Sequence, residues 1–302
     1  MTGNFLVFVL ILCLVLVPRA HAQPHRLLES AGAYNYSLKG ADWGGSCVSS
    51  QQSPIDLSAT QASCSDSMVF DLKLASSMVT TAVVDNGYTY QLDGEFSQLY
   101  ATDTNNVLLG YIGTGMFIHA PSEHTIQGVS YDAELQIVHK IADQFASDST
   151  DARTVAIVSI LFKVDNSSEP NPFFTALSLG NLANETQEIN INLDSLLSPQ
   201  LASPLVYFTY KGSLTAPPCT ESVNWYVLQQ VLTIPGDQLA HLTSRWAGNE
   251  TFAKGIGNNR AIQSLNERTI QISGNSCQTQ YVYYFSFFIL FIFVAYFIFK
   301  LL

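Results

Sequence analysis

The chain has 302 residues, 24 acidic against 13 basic, for a formal net charge of −11, and 47% of its residues are hydrophobic. A surface this acidic repels phosphate backbones and excludes nucleic acid as a partner. From the N-terminus, Phe5 to Val17 is an uninterrupted apolar run, followed by Pro18 and the small-x-small triplet Ala20-His21-Ala22. This predicts a signal peptide over 1–22, cut after Ala22, although an n-region without lysine or arginine leaves an uncleaved anchor as the alternative. Residues 23–276 are then one large ectodomain, divided by no repeat or low-complexity linker. Within it, short β-branched and aromatic runs bounded by Gly, Pro, Asn and Asp predict strands. They fall at Thr81–Val84, Tyr88–Leu92, Val107–Tyr111, Met116–His119, Glu134–His139, Val155–Val164, Leu205–Tyr210 and Val223–Leu228. Val155–Val164, VAIVSILFKV, is almost continuously apolar, as in a strand buried on both faces of a large covered sheet. Helices are expected around Asn171–Leu182 and Asp237–Trp246, each behind proline breakers. The fold class is mostly β with short peripheral helices.

At the C-terminus, Tyr281 to Phe299 carries no charge for 19 residues. A helix of that length is about 28 Å long and spans a bilayer. The expectation is a membrane anchor over 277–302 with a transmembrane helix at 281–299, a lipid anchor at the small residues Ser273 to Ser276 being the runner-up. Sequons at Asn35, Asn166, Asn184 and Asn249 are candidate glycosylation sites on an extracellular or lumenal surface. Without Cys13, which leaves with the signal, four cysteines remain, Cys47, Cys64, Cys219 and Cys277. Four allow three pairings, and spacing does not choose among them.

Chemistry concentrates in MFIHAPSEHTIQGVSYDAELQIVH, Met116 to His139, which holds three histidines and two glutamates. Imidazole and carboxylate are the ligands a catalytic zinc takes, three of them with one water. Strand alternation puts Phe117 and His119 on one face of the first segment. In the second it puts Glu134, Gln136 and Val138 on one face and Leu135, Ile137 and His139 on the other. A site on the His119 face therefore has one obvious metal ligand.

FIHAPSEHT with YDAELQIVH resembles the zinc-binding region of the α-class carbonic anhydrases. QQSPIDL (51–57), DNGYT (85–89), GSLTAPPCTESVNWYVL (212–228) and NNRAIQSLNERTI (258–270) resemble that family's other signatures, in order. The resemblance covers roughly 34–272. It implies a central, mostly antiparallel sheet of roughly ten strands. It places the family's three zinc-ligand histidines at Phe117, His119 and Gln136, so two of the three are replaced by side chains that serve zinc poorly. Glu134 matches the carboxylate behind a ligand histidine, Glu123 and Thr215 the pair that orients the metal-bound hydroxide, and Tyr88 the proton-shuttle position. His124 and His139 match packed, hydrogen-bonded histidines. The resemblance also implies a Cys47–Cys219 disulfide, leaving Cys64 and Cys277 as a second bridge or as two free thiols.

The expected function is that of a carbonic-anhydrase-like binding or recognition module on a membrane in the secretory pathway. No catalytic zinc or other cofactor is expected, and the partner would be a protein or small molecule together with the membrane reached through the C-terminal helix. The competing expectations are a zinc enzyme hydrating carbon dioxide at an atypical site, and a structural subunit of a membrane assembly.

Overall fold

The computed structural model describes residues 34–65, 68–146, 153–179, 186–244 and 256–273. The expected signal peptide, Asn184, Asn249 and Cys277 lie outside these residues. The expected C-terminal membrane helix requires a correction. Its segment also lies outside the described residues, and among those described no helix is long and apolar enough to cross a membrane. The membrane is therefore withdrawn as a partner. That expectation rested on an uncharged run of sufficient length, properties that a spanning helix shares with other long apolar segments.

In chain order, β1 (Asp56–Leu57) and β2 (Ser63–Cys64) precede β3 (Phe70–Leu74), β4 (Val79–Asp85), β5 (Tyr90–Asp93), β6 (Ser97–Thr102) and β7 (Leu108–His119). Then come β8 (Thr125–Ile126), β9 (Val129–Ser130), β10 (Ala133–Ile141), β11 (Val155–Val164), α1 (Pro172–Leu177), β12 (Thr186–Ile191) and α2 (Leu193–Leu197). The described chain closes with β13 (Tyr207–Gly212), β14 (Val223–Ile234), α3 (Gly236–Thr243) and β15 (Gln271–Ile272). Twelve strands form one sheet in the order β12-β4-β5-β7-β10-β11-β14-β13-β15-β2, with β6 pairing β7 beside β5, and β3 outside β6. Within this sheet pairing is antiparallel except at β11/β14 and β15/β2. The expected class holds, with twelve strands rather than ten.

β11 begins and ends where its apolar run does, and it is buried on both faces. Ala156, Val158, Ile160 and Phe162 join the larger core on one side, while Ile157 and Leu161 join a second core on the other. Burying each such side chain contributes about 1.5–3 kcal/mol. β7 was expected as two strands separated by a glycine-rich turn, yet GYIGTG continues as one strand. Its glycines make room instead, since a Cβ on Gly113 would collide with Ser97 Oγ and one on Gly110 with the Phe145 ring. A bulge follows, as Val138 pairs with Gly115 and His139 with Gly113. The helix expected to run from Asn171 to Leu182 covers only Pro172–Leu177, because Ser178 takes a left-handed conformation (φ 50°) that ends it.

Candidate functional site

The register of β7 against β10 sets the floor of the site, with His119 opposite Glu134 and Phe117 opposite Gln136. In an antiparallel pair, opposite residues share a face and lie close enough to touch. Phe117, His119 and Gln136 line one pocket, to which they bring a phenyl ring, an imidazole and a carboxamide.

Glu134 is wholly buried and accepts from five donors. Its Oε2 takes the backbone N–H groups of Glu123 and His124, each at 2.8 Å. Its Oε1 takes His124 Nδ1 and Ser159 Oγ, each at 2.8 Å, and Gln136 Nε2 at 3.1 Å. Burial alone would push this carboxyl up, but the attraction and hydrogen bonds of His124, with His119 beyond, hold it well below the usual range, at about 2. Behind it, His124 Nε2 lies 2.7 Å from the Tyr210 hydroxyl, which donates to Ser53 Oγ at 2.9 Å. Burial pushes that hydroxyl's pKa up and keeps it protonated.

Glu123 Oε1 accepts the backbone N–H of Arg260 at 2.9 Å, and Oε2 accepts Gln136 Nε2 at 2.8 Å with His119 Nε2 at 3.5 Å. Among the described residues no hydrogen bond joins Glu123 to Thr215, which lines a pocket with His119 and Gln136. His119 Nδ1 lies 2.8 Å from the Asn258 carbonyl, so that nitrogen carries the hydrogen and Nε2 turns toward Glu123. Asn258 also ties this corner together, since Oδ1 accepts from the Ala120 N–H at 2.8 Å and Nδ2 donates to the carbonyls of Tyr88 and Ile118. His139 is buried on the opposite face, with Nε2 2.8 Å from Ser97 Oγ and Nδ1 2.9 Å from the Ile137 carbonyl. Burial holds its pKa down at about 4, so it is neutral.

The pocket above this floor has ≈ 50 Å³ open to water, and its walls are Phe117, Val138, Ile157, Leu214 and Ala216 with Tyr34 and Tyr36. Tyr88, at the position the family uses for proton shuttling, stacks on Tyr34 with centroids 4.2 Å apart and planes at 10°. The sequence did not assign roles to Asn258, Arg260 or Tyr34. The first two lie within the quoted 258–270 signature, but what they touch comes from segments more than a hundred positions away. Arg260 holds Gln52 Oε1 at 2.9 Å and the carbonyls of Ser53 and Cys47 at 2.8 and 2.7 Å. Cys47 is bonded to Cys219, as the resemblance implied. Such a bridge persists in an oxidising compartment, which makes this a protein of the secretory route or extracellular space. Cys64 is free within the described residues. Of the described sequons, Asn35 is half-buried, its Oδ1 accepting from the Ser37 N–H at 2.9 Å, and Asn166 is exposed.

The family's zinc does not fit this donor set. A phenyl ring has no lone pair to give, and the amide nitrogen of Gln136 is held by two carboxylates. Among the described residues no three His, Cys, Asp or Glu side chains are grouped to hold a metal ion.

A twelve-stranded mixed sheet with a pocket over its β7–β10 floor defines an α-carbonic-anhydrase fold. The chain belongs to the eukaryotic-type carbonic anhydrase family, whose model matches residues 39–274. It is similar to alpha carbonic anhydrase 4 of Arabidopsis thaliana, 33% identical over 221 residues that cover 72% of this chain and 73% of the relative. It superposes on carbonic anhydrase Cah3 from Chlamydomonas reinhardtii, solved with acetazolamide, with TM-score 0.63 and 27% identity over 80% of this chain and 99% of that one. A dioscorin solved with ascorbate matches with TM-score 0.58 and 27% identity over 74% of this chain and 85% of that one.

Proposed function

We propose that this protein uses the carbonic anhydrase fold for recognition, without catalytic zinc. One observation carries this reading, the pairing of Phe117 with Gln136 across β7 and β10, with the Gln136 amide donated to Glu123 and Glu134. Hydration of carbon dioxide at neutral pH needs a metal to bring the pKa of bound water from about 16 to about 7. The residues facing the pocket offer one imidazole for that task. The carboxylates that would orient a reactive water instead hydrogen-bond to protein groups. The dioscorin neighbour, solved with ascorbate, supports use of this fold to hold small molecules. The recognition domain spans residues 23–276, exported behind the signal peptide and glycosylated at Asn35, Asn166, Asn184 and Asn249.

Stopped-flow hydration of carbon dioxide by the purified ectodomain, supplied with excess zinc, tests this reading. The expected rate equals the buffer background. Turnover that a chelator abolishes would restore the enzyme reading, with Gln136, His119 or Glu134 as the residues to mutate in search of the ligand set.

A further inference from the structure

Resting on the zinc-free reading, we propose that the pocket binds a small, uncharged, largely apolar molecule through a single hydroxyl or amide N–H donor, which Gln136 Oε1 accepts. The orientation of the Gln136 amide is fixed by its surroundings. Its nitrogen carries two hydrogens, and these go to two acceptor-only carboxylates, Glu123 Oε2 at 2.8 Å and Glu134 Oε1 at 3.1 Å. The flipped amide would set its oxygen against both carboxylates. Oε1 is therefore the polar atom that this side chain, 3% exposed, offers to the pocket it lines. A buried acceptor facing an apolar cavity gains most from a ligand that supplies a donor and covers the walls. A metal at this place would attract anions; the carbonyl oxygen, with the Glu123 and Glu134 carboxylates behind it, repels them. The same field draws an ammonium, but that ion would lose its water to apolar walls, and the carboxylates behind Gln136 are already compensated, Glu134 by five donors and Glu123 by the Gln136 amide and the Arg260 N–H. The ≈ 50 Å³ inside admits the donor and the atoms next to it, between Phe117, Val138, Ile157 and Leu214, and the apolar remainder of the ligand lies at the mouth beside the Tyr34 ring, which is stacked on Tyr88.

The test is saturation-transfer NMR on the purified full-length protein with benzyl alcohol, toluene and benzoate, with zinc content measured on the same sample. Benzyl alcohol should bind about five- to tenfold more tightly than toluene, the worth of about one hydrogen bond to a neutral acceptor, and benzoate should bind most weakly. In Gln136→Leu the alcohol should fall to the level of toluene. Ala216→Phe, placed on the pocket wall away from the carboxylate network, should lose all three probes, and it serves as the check if Gln136→Leu does not fold. In zinc-free protein, benzoate binding as tightly as the alcohol would overturn the ligand assignment while leaving the zinc-free reading intact. So would no probe binding, or an unchanged preference in Gln136→Leu or Ala216→Phe. One zinc per chain with benzoate bound in a chelator-sensitive way would overturn the zinc-free reading, and this inference with it.

Discussion

One strand step separates Glu134 from Gln136, yet the two sides of the floor they form differ in kind. At Glu134 every oxygen is saturated by donors from the 122–124 turn, β10 and β11, as a buried charge requires. At Gln136 the amide nitrogen meets Glu123 and Glu134, but the other neighbours are the Phe117 ring and an apolar cavity, and among the described residues no donor reaches the amide oxygen. The first region is a polar network that fixes the turn between β7 and β10. The second opens onto the pocket. The network ties the 122–124 turn to β10 and β11 whether or not a metal is held, whereas Phe117 and Gln136 face the pocket.

The sharpest way to break that contrast is Glu134→Ala. It leaves five donors without an acceptor, among them two backbone N–H groups and His124, and should destabilise the ectodomain by about 3–5 kcal/mol in urea unfolding. A loss below about 1 kcal/mol would show that the network is incidental to the fold. Next comes His139, on the other face of β10. Its folded pKa of about 4 lies below the ordinary 6.5, so the unfolded chain binds its proton more readily. Its share of stability is complete above pH 6.5 and is lost as pH falls toward 4, about 3 kcal/mol in all. His139→Gln, which can still reach Ser97 but does not titrate, should flatten urea midpoints between pH 6.5 and 4.5. Glu134, also lowered, adds its loss only below about 4.5. The smallest effect belongs to the pocket side, because Phe117 is half-buried and opens onto a cavity rather than a packed core. Phe117→His should cost under about 1.5 kcal/mol, measured in the same urea titration. A larger loss would mean that the ring is a core residue and the pocket a packing defect.

How much of this was legible in the sequence depends on how local the signal is. β11 appeared with its observed limits because a strand buried on both faces writes its whole length in apolar residues. β3, whose burial alternates between half-buried and exposed, left no such mark and was missed. β12, polar at every second position, was missed for the same reason. The glycines of β7 imitated a turn, since a glycine that admits Ser97 or Phe145 cannot be told locally from one that bends the chain. Within the site, motif order placed Phe117, His119, Glu123, Glu134, Gln136 and Thr215 around one region. The direction of the Gln136 amide and the hold of Asn258 on His119 were not legible, because each depends on groups that only the folded sheet brings within 3 Å.

We propose that Phe117 and Gln136 are the side chains that keep zinc from this fold, the residues around them being able to support it. Zinc per chain, measured by elemental analysis after equilibrium dialysis against micromolar zinc, tests it most directly when wild type is compared with the double variant Phe117→His/Gln136→His. Wild type should retain well below one zinc per chain, and the double variant, with three imidazoles on the preserved frame, should retain close to one. One zinc held by wild type, or none held by a folded double variant, would contradict the claim.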